Sequence, residues 1–126
     1  MSESSDGGFL GLVGIRDQTA HDGKARLELD ATEKHLNSAG GVHGGVLATL
    51  VDTAMGRAVR SRLGEDEGSA TSQLTVTYLR PGKPGTLVVT AEVRKQGEHL
   101  TMCEADVEQE GKALVHAVAT FAVLRD

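Results

Sequence analysis

Two features of the sequence combine residue types and spacing that could perform chemistry. His35–Gly45 has glycine at four of its last six positions, and Asp52 follows in an otherwise apolar stretch. A glycine-rich loop that opens a helix presents unpaired backbone N–H groups at the positive end of the helix dipole. Such groups can bind an anion or stabilise a developing oxyanion. Gly44 is the candidate donor, because a reacting carbonyl can closely approach a residue without a side chain.

The glycine-rich segment also has a purely structural interpretation, in which the glycines only make a tight turn and let a helix pack. The segment lacks the Gly-Lys-Ser/Thr ending of a nucleotide-binding P-loop, which argues against ATP or GTP as a ligand. His43 precedes Gly44 and belongs to the candidate site. Its side chain could donate to a substrate or only fix the loop, and we favour the second role.

Asp52 lies in a predicted amphipathic helix that spans about Val42 to Leu63. Apolar residues at spacings of three and four predict one buried stripe: Val46, Leu47, Leu50, Val51, Ala54, Met55, Ala58 and Val59. A carboxylate in such a helix is unfavourable unless it is solvated, paired or used. Asp52 could pair with Arg57 or Arg60, face a groove, or act in catalysis, and the charge pattern does not choose among these roles.

The spacing of Gly44 and Asp52 limits how they could share a site. Eight residues of α-helix span about 12 Å, so both residues of one chain cannot contact one scissile carbonyl. A joint site needs Gly44 from one subunit and Asp52 from another. If both residues are catalytic, the sequence therefore predicts a dimer with two-fold symmetry.

The remainder of the chain predicts a sheet. Phe9–Ile15 fits a strand or a helical turn, and Ala25–Asp30 alternates like a half-buried strand. After a polar turn, four further strands are predicted around Thr71–Arg80, Leu87–Val93, Leu100–Glu108 and Ala113–Leu124, with short turns between them. One long helix and about five to six antiparallel strands indicate an α+β fold in which the helix packs on the sheet.

Alternation in the first of these four strands predicts which residues share a face. Leu74, Val76 and Tyr78 face one way, and Thr71 faces the other way together with Gln73.

Composition excludes several classes of function. The chain has 126 residues, a net charge of −5, one tyrosine and no tryptophan, which argues against nucleic-acid binding. Cys103 is the single cysteine, and its place in the strand predicts a buried, inert thiol. No Gly-x-Ser-x-Gly nucleophile elbow occurs, and the histidines lack metal-ligand spacing. We therefore predict no metal and no cofactor.

The same sequence predicts the domain organisation and the location of the protein. No run of about 18 apolar residues occurs, and Met1–Gly8 is a polar, flexible tail without a secretory pattern. We therefore predict a cytoplasmic protein without membrane contact, in which residues 9–126 form a single domain.

Taken together, these motifs resemble a known family. Asn37-x-x-Gly40-x-x-His43-Gly44-Gly45 with Asp52, followed by Thr75-Val-Thr-Tyr78-Leu-Arg80-Pro81, is similar to the phenylacetate-pathway (PaaI-type) branch of the hotdog-fold thioesterases. The resemblance extends from about Ala25 to Leu124. It implies a long helix wrapped by a curved antiparallel sheet. It also implies a homodimer with its sheets joined edge to edge, which pairs again into a homotetramer.

The resemblance also implies roles for the matching residues. Asp52 would be the general base or the nucleophile, and the Gly44 N–H would polarise the thioester carbonyl from the opposite subunit. Asn37 would help to position substrate or water. Thr71 would hold the attacking water through its hydroxyl, or it is an ordinary strand threonine.

Cations that could bind the phosphates of coenzyme A lie around two turns. Arg80, Lys83, Arg94 and Lys95 form the densest basic grouping of an otherwise acidic chain. By resemblance, the turn Tyr78–Lys83, which includes Pro81, and the hairpin Lys95–Leu100 border the CoA channel. Each cation taken alone could instead be a solvated turn residue.

The predicted function is hydrolysis of an acyl-CoA thioester to a free acid and CoA. One alternative is a hotdog enoyl-CoA hydratase or dehydratase in which His43 and Asp52 shuttle protons. Another is a non-catalytic acyl-CoA binding module. The sequence does not specify the acyl group.

Overall fold

The computed structural model describes residues 8–125, except for the side chains of residues 17 and 18. Its elements are α1 (Gly8–Val13), β1 (Arg16–His21), β2 (Lys24–Ala31), a 3₁₀ turn (Glu33–His35), α2 (Gly44–Arg60), β3 (Glu67–Tyr78), β4 (Gly85–Gln96), β5 (Leu100–Gln109) and β6 (Lys112–Arg125). Of the predicted tail, only Gly8 is described, and it is the first residue of α1. The other residues of that tail lie outside the described part of the chain.

The six strands form one antiparallel sheet in the order β1-β2-β4-β5-β6-β3. Helix α2 packs on one face, where its apolar stripe is buried: Leu47, Leu50, Val51, Ala54, Met55, Ala58 and Val59. Each fully buried Leu or Val contributes roughly 1.5–3 kcal/mol relative to an exposed one. The stripe therefore holds α2 in place more strongly than helix propensity does. The predicted α+β architecture, one long helix against an antiparallel sheet, is confirmed.

Helix α2 is shorter at both ends than the predicted span Val42–Leu63. The Val42 N–H donates to the carbonyl of Gly82 at 2.9 Å, which keeps this residue in the loop. His43 is the N-cap, and its ψ of 136° is not helical. At the other end, Arg60 donates to the carbonyl of Gly64 at 3.1 Å and so closes the turn that follows the helix.

A bulge in β3 changes which residues face the helix. The pairing of β3 with β6 shifts between Thr71 and Gln73, so that Thr71 is opposite Phe121 and Leu74 is opposite Ala119. Directly paired residues of antiparallel strands lie on the same face, and both of these partners are buried in the core. Thr71 and Leu74 therefore share the face that meets α2. The prediction that Thr71 faces the other way is wrong, because one extra residue shifts the alternation by one position.

The core contains one polar atom that lacks a partner. Thr101 is 1% exposed, and its Oγ1 has no hydrogen bond within the described residues. An unsatisfied buried hydroxyl costs about 1–3 kcal/mol.

We expect Thr101→Val to raise the free energy of unfolding by about 1 kcal/mol, because a methyl group replaces the unsatisfied hydroxyl. Urea titration followed by circular dichroism measures the change. Thr77→Val, on the exposed face of β3, is the matched control and should change the value by less than about 0.5 kcal/mol. A less stable Thr101→Val variant would contradict the prediction.

Candidate active site

A groove of about 370 Å³ lies at the N-terminal end of α2, between the glycine-rich loop and the turn after β3. It is lined by Asn37, Gly41, Val42, Gly44, Leu47, Tyr78, Leu79, Arg80 and Pro81. The turn is fastened to Gln109, whose carboxamide accepts from the Lys83 N–H at 3.0 Å and donates to the Lys83 carbonyl at 2.7 Å. Together with the hydrogen bond from Val42 to Gly82, these contacts set the walls of the groove.

The first turn of α2 presents the backbone N–H of Gly44 outward from the helix end. The neighbouring N–H groups have acceptors: His43 donates to the His35 carbonyl, Gly45 to His43 Nδ1, and Val46 to the His43 carbonyl, at 2.8 to 2.9 Å. Within residues 8–125 the Gly44 N–H has no such acceptor. The N–H and C=O of a trans peptide point in opposite directions. Because the His43 carbonyl points into the helix, the Gly44 N–H points out of it.

The side chains of Asn37 and His43 shape the glycine-rich loop. Asn37 Oδ1 accepts hydrogen bonds from the N–H groups of Ala39 at 2.9 Å and Gly41 at 3.1 Å. His43 Nδ1 accepts from the N–H of Gly45 at 2.8 Å as the N-cap of α2. Both side chains are exposed, so the Asn37 amide group and the second ring nitrogen of His43 remain the atoms through which either residue could contact a ligand.

Asp52 lies on the flank of α2 that faces β3. Thr71 Oγ1 donates to Asp52 Oδ1 at 2.7 Å across the contact between helix and sheet. The bulge makes this contact possible, because it turns Thr71 toward α2. Asp52 is half-buried, whereas Thr71 is exposed, so the pair lies at the boundary between core and solvent.

The predicted catalytic residues therefore form two separate groups within the chain. Gly44 and Asn37 line the groove, whereas Asp52 and Thr71 do not. The two groups are separated by two turns of α2, which span about 12 Å. The structure brings together the residues within each group and does not bring the two groups together.

The four cations predicted to bind CoA do not converge within the chain. Arg80 and Lys83 lie in the turn before β4, whereas Arg94 and Lys95 lie near its far end. Since β4 has 12 residues, its ends are separated by about 36 Å at roughly 3.3 Å per residue. Arg94 also forms ion pairs with the carboxylates of Glu92 at 3.3 Å and Glu104 at 3.5 Å, which partly neutralise it.

Tyr78 belongs to the groove and also contacts the first residue of α2. It faces the helix side of the sheet, opposite buried Val115, yet it is 52% exposed because it stands at the end of the strand. Its hydroxyl donates to the carbonyl of Gly44 at 2.9 Å.

His35 is a buried residue whose function the sequence did not reveal. Its Nδ1 accepts from the Thr32 N–H at 2.9 Å, and its Nε2 lies 2.7 Å from the carbonyl of Val13. Since a carbonyl only accepts, the neutral ring carries its proton on Nε2. His35 thereby ties the end of α1 to the glycine-rich loop. The capping box that it forms with Thr32 leaves a signal in the sequence, a threonine followed three residues later by a side chain that accepts.

Within residues 8–125, neither a metal site nor a reactive cysteine is formed. No group of three or more His, Cys, Asp or Glu side chains is placed to hold a metal ion. In the same part of the chain, no helix is long and apolar enough to cross a membrane. Burial raises the pKa of the Cys103 thiol to about 11, so at neutral pH it is not a thiolate nucleophile.

The family to which the chain belongs follows from comparison with known proteins. The model of the thioesterase superfamily matches residues 39–116, which is more than half of the chain. The matched segment contains Gly44, Asp52 and Thr71. The chain belongs to the thioesterase superfamily.

Named relatives include two acyl-coenzyme A thioesterases. Human acyl-coenzyme A thioesterase 13 is 36% identical over 92 residues, which cover 71% of this chain and 64% of the human protein. Escherichia coli acyl-coenzyme A thioesterase PaaI is 33% identical over 96 residues, which cover 75% of this chain and 66% of PaaI. The matched segments thus span about two thirds of these relatives' own length.

Solved structures confirm the hotdog fold and the PaaI-type resemblance. E. coli PaaI superposes with a TM-score of 0.84 at 29% identity, covering 90% of this chain and 82% of PaaI. A Bacillus halodurans protein solved with CoA has a TM-score of 0.77 at 32% identity, covering 79% of this chain and 66% of that protein.

We expect Cys103 in the folded protein to resist alkylation at pH 8. Its pKa of about 11, against an ordinary value of 9.0, lowers the thiolate fraction about 100-fold, and burial blocks access to what remains. Maleimide labelling followed by mass spectrometry should show slow modification of the native protein and rapid modification in guanidinium chloride. Equal rates in the two states would show that the thiol is accessible.

Proposed function

We propose that this protein hydrolyses acyl-CoA thioesters in sites formed between two copies of the chain. Membership of the thioesterase superfamily supports thioester hydrolysis in general. The proposal that the site is shared between two copies rests on one observation. The pair Asp52 and Thr71 is separated from the outward N–H of Gly44. A hydrolytic site needs both a base or nucleophile and an oxyanion donor. In one protomer the Asp52 carboxylate and the Gly44 N–H are too far apart to act on the same carbonyl. A second copy would supply the group that each site lacks.

The position of β3 supports this arrangement. β3 is an edge strand of the sheet, and Thr71 lies on it beside Asp52. A two-fold axis beside this edge and perpendicular to the sheet would join two sheets and run the two α2 helices antiparallel on the same face. If the axis is level with Ala48, midway between Gly44 and Asp52, each Asp52 faces the partner's Gly44. A further pairing of dimers, which the resemblance implies, is not required by the site.

In the proposed reaction, the thioester carbonyl accepts a hydrogen bond from Gly44 of one copy, and Asp52 of the other acts on it. Asp52 either removes a proton from an attacking water or attacks the carbonyl carbon itself. In both routes the C–S bond breaks and CoA leaves as a thiol. In the first route Asp52 passes the proton of the water to the leaving sulfur. In the second route water then hydrolyses the anhydride formed between the acyl group and Asp52, which releases the acid, regenerates the carboxylate and supplies the proton of the thiol. Thr71 orients the carboxylate, since it donates to Oδ1. Its own oxygen then remains as an acceptor for water.

Substrate recognition is proposed for the groove and its rim. Arg80 lines the groove and Lys83 lies in the same turn, so both could meet the phosphates of CoA. Arg94 and Lys95 would reach the same ligand only from another protomer. The Bacillus halodurans protein was solved with CoA, which supports CoA as the thiol portion of the substrate.

The hydratase alternative receives less support from the site. It needs a His and a carboxylate that exchange protons with one substrate. His43 Nδ1 accepts from the Gly45 N–H as the helix cap, so the neutral ring carries its proton on Nε2 and could meet a substrate only as a donor. A decayed binding module would also be expected to have lost the contact between Asp52 and Thr71, which is present.

We expect Asp52→Asn to lower kcat for acyl-CoA hydrolysis by at least about 100-fold, the contribution typical of a general base. The variant keeps the size of the side chain and an acceptor for Thr71, so the fold and oligomer should be retained. Thiol release across a panel of acyl-CoAs measures the effect. The control is Asp106→Asn, which removes a carboxylate that contacts His116 on the other face of the sheet. Near-normal turnover by Asp52→Asn would refute the assignment.

A mixing experiment tests the shared site. Gly44→Pro removes the N–H and adds the proline ring at a first helical position that tolerates proline. The preceding φ of −58° and ψ of 136° suit a residue before proline. Gly44→Ala keeps the N–H and is the control, since its Cβ would lie 3.4 Å from the Tyr78 hydroxyl, an ordinary contact.

We expect Gly44→Pro and Asp52→Asn to be nearly inactive alone and to recover about one quarter of wild-type activity after equimolar unfolding and refolding together. Half of the dimers are then mixed, and each mixed dimer holds one intact site and one doubly mutated site. If the two residues acted within one subunit, every site in the mixture would be defective, and no activity would return.

A further inference from the structure

Tyr78 makes two contacts with the first helical residue of α2 that the proposed function does not yet use. Its hydroxyl donates to the Gly44 carbonyl at 2.9 Å. Its ring occupies the side of Gly44 where a side chain would be, so that a Cβ there would lie 3.4 Å from Oη and 3.6 Å from Cε1. One residue of β3 thus both packs on Gly44 and binds its backbone.

The two glycines that begin α2 explain why such a contact matters. Glycine in a helix is less favourable than alanine by roughly 0.5–1 kcal/mol, because its backbone loses more freedom. Gly44 and Gly45 therefore form a first turn that is easily distorted. The N-cap fastens the turn through the N–H of Gly45. Within residues 8–125, the Tyr78 hydroxyl is the side-chain group that fastens the Gly44 carbonyl.

Tyr78 can act as an anchor because its own position is well supported. It is the last residue of β3 and pairs with Val115 in β6. The next two backbone N–H groups, of Leu79 and Arg80, both donate to the carbonyl of Leu114, at 2.7 and 3.3 Å. The hydroxyl is thus carried by a strand end that the neighbouring strand holds in place.

We infer that Tyr78 is a positioning residue that acts through Gly44: it holds the first turn of α2 so that the Gly44 N–H meets the thioester carbonyl. The inference rests on the proposed thioester hydrolysis. It gives Tyr78 a role other than contact with CoA, because the hydroxyl proton is donated to a carbonyl of the protein itself. The loosening of an oxyanion donor costs less than its removal, which typically costs 10²–10³-fold in kcat.

The test compares Tyr78→Phe with the wild type on two substrates that carry the same acyl group. One is the best acyl-CoA of the panel, and the other is the N-acetylcysteamine thioester, which lacks the nucleotide and phosphates of CoA. Tyr78→Phe keeps the ring against Gly44 and removes only the hydroxyl. We expect kcat to fall about tenfold on both substrates, with KM for the acyl-CoA unchanged within about twofold. Thr77→Val, the adjacent exposed strand residue, should leave both parameters unchanged.

Two results would overturn the inference: wild-type kcat in Tyr78→Phe, or a loss confined to the CoA substrate, which would indicate a contact with CoA. Inactivity of the wild type on every thioester would instead refute the proposed hydrolysis. In that event, amide hydrogen exchange followed by NMR still tests the anchor. Faster exchange of the Gly45 N–H in Tyr78→Phe than in Thr77→Val supports it, and equal exchange overturns it.

Discussion

The burial of one apolar stripe of α2 on one face of the sheet is the constraint on which the rest of the structure depends. One long helix covers that face, so its rotation and position are set by the stripe from Leu47 to Val59. Residues that lie off the stripe are then left at defined places on the boundary of the core. Asp52 lies on the flank beside β3, where it meets Thr71. Gly44 lies at the end of the helix, where its N–H has no acceptor among residues 8–125.

Most of the helices and strands could be predicted from the sequence because their apolar residues recur at a regular spacing. Spacings of three and four revealed α2, and alternation revealed the strands from β2 to β6, since these patterns follow directly from burial on one face. β1 (Arg16–His21) has no such pattern, because it is a polar strand at an edge. The bulge at Thr71 also leaves no periodic signal, and alternation therefore assigned this residue to the wrong face. The family resemblance implied that the Thr71 hydroxyl holds the attacking water; in the structure this hydroxyl donates to Asp52 Oδ1.

The candidate site could be predicted as a set of residues but not as a set of contacts. Asp52 and Gly44 stood out because a carboxylate in an apolar helix and a glycine-rich helix start are both unusual. The contacts of Tyr78 and His35 join residues that are 34 and 22 positions apart along the chain. Such contacts depend on how the strands are ordered in the sheet. Local sequence also grouped Arg80 with Arg94, although most of the length of β4 separates them.

The edge strand β3 affects how the newly synthesised chain folds without aggregating. It has 12 residues, no proline, and Glu67 as its only charged residue, and unpaired strands with these properties readily recruit further strands. In a single copy of the chain, the unpaired backbone groups of this edge can bond to any extended segment nearby. If the proposed dimer forms through β3, pairing of two copies therefore competes with aggregation, and the yield of folded protein depends on the rate at which two copies associate. The strand that brings Thr71 to the carboxylate of Asp52 is thus also an edge at which the chain is open to aggregation.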